Sequence, residues 1–419
     1  MTGMFHPRRR DLFAGAAAAG LAAMLPMRGL AAGPALAPLT GGVVPIGVAE
    51  RTRRIERAQA LMAEHGIGAV LIEPGASLTY FTGVQWHRSE RLTAAVLPSK
   101  GEALIVTPFF EEPSVRETLA IPAEVRVWQE HESPLALIAD WLRARKLQDG
   151  LIGIEETVRF FASNGLASAL AGARFVSADP VVRGCRMIKS PAEIALMKTA
   201  ADVTIAAYAH TWKRIEVGMT PKDIGAIMND ATRALGGDPE FALILLGEAS
   251  AYPHGSGKPQ AVRPGEVVLM DCGCTVEGYQ SDISRSFVFG EPTAEQRKVW
   301  THVREGQEIA FGAAKIGAPA GSVDDAVRRH YEKLGYGPGY RLPGLSHRTG
   351  HGIGLDGHEP VNFVHGEATR LAPGMCFSDE PGLYLPGQFG IRLEDCLHMT
   401  DTGPAWFSVP PPSIDRPFG

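Results

Sequence analysis

The sequence predicts an α/β domain over residues 49–184, followed by an α+β domain over residues 185–419. Three observations predict this. Helix-period and strand-like apolar segments alternate through the first part. Two capped helices open the second part, after which strand patterns dominate. The chain is 419 residues long and 45% hydrophobic, enough for two buried cores.

Residues 1–48 stand apart as a signal and a linker. Arg8, Arg9 and Arg10 precede an apolar, alanine-rich stretch from Leu12 to Leu25. That stretch is too short for a membrane span and reads as a secretory signal. Arg9-Arg10-Asp11-Leu12-Phe13 resembles a twin-arginine signal, which implies a folded bacterial enzyme exported to the periplasm or beyond. Residues 26–48, rich in Pro, Gly and Ala, read as the linker, with no stable membrane span expected once the signal is removed.

In RTRRIERAQALMAEHGIGAVLIE the first part has helical periodicity, Gly66 stops it, and residues 68–72 read as a buried strand. TAAVLPSKGEALIVT is two apolar runs around Pro98-Ser99-Lys100-Gly101, a hairpin. Ser133 and Pro134 start a helix as N-cap and first helical residue. LIGIEE and ARFVSAD read as further strands. In the second domain Ser190 and Glu193 form a capping box, and Thr220 with Asp223 repeats the pattern. Gly236-Gly237 ends that second helix. Strands follow, interrupted by helices after Thr293 and Ser322.

Net charge is −5, and no long basic run occurs beyond the N-terminus, which argues against nucleic acid as a partner. The five cysteines have no zinc-finger spacing and read as small core residues on strands. An oxidising compartment would permit a disulfide and leave one thiol over.

EVVLMDCGCTVEGYQSDISRSFVFG carries Asp271 and Asp282 between apolar, strand-like flanks. A turn centred on Val276-Glu277 would set them directly opposite, with β-carbons about 5 Å apart. Two carboxylates there repel unless a cation or a shared proton lies between them. SDEPGLYLPGQFGIRLED repeats the device, since a loop centred on Gly387 faces Glu380 with Glu394. HRTGHGIGLDGHEP adds His347, His351 and His358 at spacings of four and seven, with four glycines among them. His351, between Gly350 and Gly352, is the candidate ligand, because glycine permits close backbone approach and unusual dihedrals. His347 and His358 would flank the site, and AYPHGSGKP contributes His254. Oxygen ligands with one imidazole suit two divalent metal ions better than a thiolate zinc site does. GHGIG matches neither a P-loop nor a dinucleotide fingerprint. The chain has no GxSxG elbow and no cysteine beside a plausible base.

Together these residues resemble the pita-bread metallopeptidases: methionine aminopeptidase, aminopeptidase P and prolidase. The resemblance covers about residues 185–405. The family's ligand order, Asp, Asp, His, Glu, Glu, falls on Asp271, Asp282, His351, Glu380 and Glu394. Its auxiliary histidines fall on His254 and His358, while His347 and Arg392 match the aminopeptidase P and prolidase branch. The first domain is similar to the creatinase and prolidase type of N-terminal domain, which methionine aminopeptidases lack.

The resemblance implies a pita-bread catalytic domain holding two divalent cations, manganese first and cobalt, iron or zinc next. It implies hydrolysis of the bond preceding proline, in Xaa-Pro dipeptides or at the N-terminus of peptides, by a metal-bridging hydroxide. Glu380 would be both ligand and proton shuttle. His254 and His358 would hydrogen-bond the tetrahedral intermediate. His347 and Arg392 would bind substrate or stand behind the ligands. Family members are often dimers, so a homodimer is expected. Two readings compete: a same-fold enzyme acting on a small non-peptide amide, and a non-catalytic binding protein. All five ligand positions are filled, which weighs against the second.

Overall fold

A computed structural model describes residues 36–418. The arginine pair and the alanine-rich stretch lie outside the described residues. α1 (Val48–His65) ends at Gly66, whose φ of 68° closes the helix in the left-handed conformation. β1 (Ile67–Ile72) and α2 (Ala76–Thr82) follow. The expected hairpin is β2 (Ala94–Pro98) with β3 (Ala103–Pro108), pairing Ala94 with Val106. Then come α3 (Glu112–Thr118), β4 (Ala123–Trp128), α4 (Pro134–Ala144) and β5 (Leu151–Ile154). Ser133 caps α4 by accepting from the Ala136 N–H at 3.2 Å. α5 (Phe160–Ala169), β6 (Arg174–Ser177) and α6 (Asp179–Arg186) complete the domain. Its six strands are ordered β4-β3-β2-β1-β5-β6, a mixed sheet with an apolar cluster on each face.

The second domain opens with α7 (Pro191–Trp212) and α8 (Pro221–Ala234), each started by the expected capping box. β7 (Asp238–Leu246), β8 (Val267–Val276), β9 (Tyr279–Gln280) and β10 (Ile283–Val288) follow. α9 (Ala294–Ala313) is capped by Thr293, whereas α10 (Gly321–Lys333) starts one residue before the expected Ser322. The remainder is strand: β11 (Gly350–Gly352), β12 (Glu359–Phe363), β13 (Cys376–Asp379), β14 (Gly382–Leu385), β15 (Phe389–Arg392), β16 (Asp395–Thr400) and β17 (Gly403–Trp406). β10-β8-β7 form one sheet and β12-β11-β13-β16-β17 another, while β14 pairs with β15. One cluster packs α7 and α8 on the first sheet, and a second packs α9 and α10 on the other strands.

Three expectations are corrected. Residues 36–47 are not a free linker: Leu36, Val43 and Ile46 pack on the α7–α8 core, and the Leu39 N–H donates to the Leu235 carbonyl at 2.8 Å. Spaced apolar residues in a Pro/Gly-rich run still have surface to bury. The cysteines are all buried and unpaired; four lie on strands as expected, but Cys185 lies in α6. Among the described residues, no helix is long and apolar enough to cross a membrane.

The third correction is a register. β8 and β9 turn on Glu277 and Gly278, both with positive φ (52° and 80°), as a two-residue hairpin turn of that hand requires, and β10 continues the same register. Asp271 therefore pairs with Ser284, and Asp282 is its diagonal neighbour on the same face, not its direct partner. The other hairpin keeps the expected register. Asp379 pairs with Asp395 and Gly382 with Arg392, so Glu380 and Glu394 face each other between the two ladders.

Candidate active site

The two acidic hairpins meet through backbone and side chain. Glu394 and Ser284 exchange backbone hydrogen bonds at 3.1 and 3.3 Å, and the Ser284 hydroxyl donates to Glu394 Oε2 at 2.7 Å. Tyr208 of α7 buries its hydroxyl 2.9 Å from the Met270 carbonyl and 2.6 Å from the Ile283 carbonyl. Those carbonyls adjoin Asp271 and Asp282, so one phenol fixes the spacing of the two acids. Arg285, paired with Asp395 at 2.7 Å, reaches the Glu394 carbonyl at 2.8 Å.

His351 enters on β11. Its Nδ1 lies 2.9 Å from the Gly352 carbonyl, which fixes the tautomer and leaves Nε2 as the free acceptor. Nε2 lies 3.3 Å from Glu380 and 3.6 Å from Asp282. The flanking glycines serve close approach alone. A Cβ at Gly350 would stand 2.1 Å from the Ser378 carbonyl oxygen, and one at Gly352 would stand 2.6 Å from that of Glu359. Neither has a positive φ, so the expected unusual dihedrals do not occur.

Three overlapping groups of donor atoms, each within 4.8 Å, result: Asp271 with Asp282 and Glu394; His351 with Glu380 and Glu394; and Asp282 with His351 and His358. Burial and then the Asp271 charge push the Asp282 acid well above the carboxylate range; burial and then Asp282 do the same to Glu394. Burial raises Glu380 to about 7 against the pull of Arg392. Burial and the neighbouring His358 keep the His351 imidazole neutral. Arg392 pairs with Asp271 Oδ2, while Asp271 Oδ1 is buried without a partner. One arginine does not balance four clustered acids. The orphaned oxygen, the crowding and the oxygen-rich donor set fit divalent cations.

His254, Asp271, Asp282, His351, His358, Glu380, Arg392 and Glu394 all line one pocket of about 400 Å³, with Phe241 and Leu243 as an apolar wall. His347 lies behind it: Nε2 is 2.8 Å from the Tyr384 hydroxyl, and Nδ1 is 4.0 Å from Glu380. Tyr384 also receives Arg392 at 3.3 Å. Sequence reasoning did not single out Tyr384, although period-two alternation puts it on the same face of β14 as Gly382, just beyond Glu380.

Glu359 was missed as well. It holds the loop that carries His358 by accepting from the Leu355 and Asp356 N–H groups at 3.0 and 3.2 Å. Arg186 and Lys189, between the two domains, meet it at 2.6 and 2.8 Å. Burial works to raise its acid, but Lys189 and Arg186 overrule this and hold it at about 2. Its contribution to stability is therefore present above the ordinary carboxylate pKa and lost as pH falls toward 2. Glu359→Gln should cost about 3–5 kcal/mol, because the buried Lys189 loses its ion-pair partner and Arg186 keeps only the exposed Asp356. Denaturant unfolding at pH 7 measures this, and a loss under about 1 kcal/mol would show that the clamp is not structural.

Residues 54–188 match the creatinase/prolidase N-terminal domain, and residues 195–401 match metallopeptidase family M24. A Mycobacterium tuberculosis protein named "probable dipeptidase PepE" is 32% identical over 355 residues, covering 84% of this chain and 92% of that protein. A prolidase from Thermococcus sibiricus superposes with a TM-score of 0.79 at 29% identity, covering 86% of this chain and 97% of its own. An X-Pro aminopeptidase from Thermotoga maritima gives 0.76 at 30% identity, covering 86% and 98%.

Proposed function

The chain belongs to metallopeptidase family M24 and carries a creatinase/prolidase N-terminal domain, and from that premise we propose that it hydrolyses the peptide bond preceding a proline in second position. The observation that carries the chemistry is the convergence of Asp271, Asp282, His351, Glu380 and Glu394 on one pocket with a buried oxygen left over. These five are the residues we assign to hold two divalent cations. The cations supply Lewis-acid charge and an activated water. Glu380 is also assigned the proton, since one of its oxygens lies against His351 and the other toward His347. His254 and His358, both on the pocket wall, are assigned the hydrogen bonds to the carbonyl oxygen as charge develops. Phe241 and Leu243 suit a pyrrolidine ring, and a bond to proline needs no acceptor for a missing N–H.

The reading is tested on metal-stripped protein reloaded with manganese, cobalt, iron or zinc and offered Xaa-Pro and Xaa-Ala peptides. Hydrolysis of Xaa-Pro alone, restored by a divalent cation, is expected, and manganese is proposed as the best activator from the oxygen-rich donors. Hydrolysis that survives a strong chelator would end the reading.

His358→Ala should slow turnover about 100- to 1,000-fold with metal content kept. Its membership of a donor group with Asp282 and His351 gives the contrary outcome a clear form. Loss of bound cation in that variant would make His358 a ligand.

Export by the twin-arginine route is proposed from Arg9 and Arg10 ahead of the alanine-rich stretch. Lysine at both positions should hold the precursor in the cytoplasm, and mature protein still found outside it would refute the route.

A further inference from the structure

β7 is the terminal strand of its sheet, paired with β8 on one side only. Among the described residues, no backbone group outside β8 bonds to residues 238–245. The run closes where the Gln260 side chain accepts from the Leu246 N–H at 2.9 Å. An open strand edge is a row of N–H and C=O groups spaced to pair with another extended chain. Asp238, Pro239 and Glu240, with a bulge, blunt the first third of the edge. Residues 241–245, FALIL, carry none of these devices.

A groove of about 880 Å³ runs beside that stretch. Phe241, Leu243 and Leu245 line it, and so do Ala242 and Ile244. Alternate residues of a strand point to opposite faces, so one groove touches both sets only by following the strand's edge. Gly225, Ala226 and Asn229 of α8 form one wall, and residues 254–257 form another. The groove shares Glu240, Phe241, Leu243 and His254 with the catalytic pocket, so the two are one trough.

We propose that the open edge of β7 receives the part of a peptide substrate beyond its proline, as an added strand. This rests on the Xaa-Pro reading and narrows its substrate class to oligopeptides over dipeptides. Residues 241–245 span about 17 Å at roughly 3.3 Å per residue, room to pair with up to about five substrate residues after the proline. Backbone pairing gives affinity without reading side chains, so the preference is for length over sequence.

The test compares kcat/KM for Ala-Pro with the same dipeptide extended by one to four alanines. A rise of at least tenfold, carried mainly by KM, is expected, because strand pairing binds ground and transition states alike. N-methylation of successive alanine amides in the longest peptide should remove the gain at alternate positions. Ala226→Trp, at an exposed helix position on the groove wall, should pull the longest peptide toward the dipeptide. A dipeptide cleaved as well as the longest peptide overturns the proposal, as do N-methylated peptides that match their parent. Slow hydrogen exchange at the outward amides of residues 241–245 in peptide-free enzyme would mean that a second copy covers the edge, and would overturn it too. Cleavage of the dipeptide alone removes this proposal only; no cleavage of any Xaa-Pro peptide removes the Xaa-Pro reading with it.

Discussion

Asp271→Ala and Glu394→Ala should each abolish metal-dependent hydrolysis. Both belong to the donor group that also contains Asp282, so either change removes a charge from a site built on surplus negative charge. The two variants should differ in the metal-free protein. Asp271 is the carboxylate partner of the buried Arg392. Its loss breaks the buried ion pair and leaves the guanidinium without its direct carboxylate partner, which should cost about 3–5 kcal/mol. Glu394 accepts from the Ser284 hydroxyl and otherwise crowds Asp282, Glu380 and Asp271. Its removal breaks no ion pair and relieves the crowding that raises the neighbouring acids, so metal-free Glu394→Ala should lose less stability at pH 7 than Asp271→Ala. Activity, metal content and unfolding of both variants check the pattern. Full metal loading with ordinary turnover in either one would remove that residue from the cation site.

How much of this was legible in the sequence follows from the range of the interaction involved. Capping boxes at Ser190 and Thr220 act over three residues, and the structure forms both. The Glu380–Glu394 register also held, because Gly387 marks the loop and the alternation on either side admits one pairing. The Asp271–Asp282 pairing slipped because the turn was centred one residue early. Gly278 was the available signal, since this turn requires positive φ at both central positions. Residues 36–47 looked like a linker because Pro and Gly dominate locally, while the surface that buries Leu36 and Ile46 belongs to helices far along the chain. Glu359 was illegible for the same reason. Its partners, Arg186 and Lys189, stand about 170 residues away, and no local pattern distinguishes a buried clamp from a solvated acid. The open edge of β7 is a property of sheet order, which alternation alone does not give.

Metal uptake should depend steeply on pH. In the metal-free protein, Asp282, Glu394 and Glu380 all have raised pKa values, Glu380 at about 7. A cation must displace those protons, so affinity should rise by more than tenfold per pH unit between about pH 5 and 7, with more than one proton released per loading. The sign for stability runs the opposite way. A carboxyl whose folded pKa is raised contributes stability that is fully present below its unfolded pKa and is lost as pH rises through the folded value. Glu380 alone, moving from 4.5 to about 7, represents on the order of 3 kcal/mol lost by pH 8. Metal-free protein should therefore melt lower at pH 8 than at pH 5, and the increment in Tm from added cation should widen over the same interval. Calorimetry in two buffers of different ionisation enthalpy counts the protons, and thermal melts with and without cation follow the stability. A metal-free Tm that climbs from pH 5 to 8, or binding that releases no proton, would mean that the three acids are already ionised and that something other than a cation balances them.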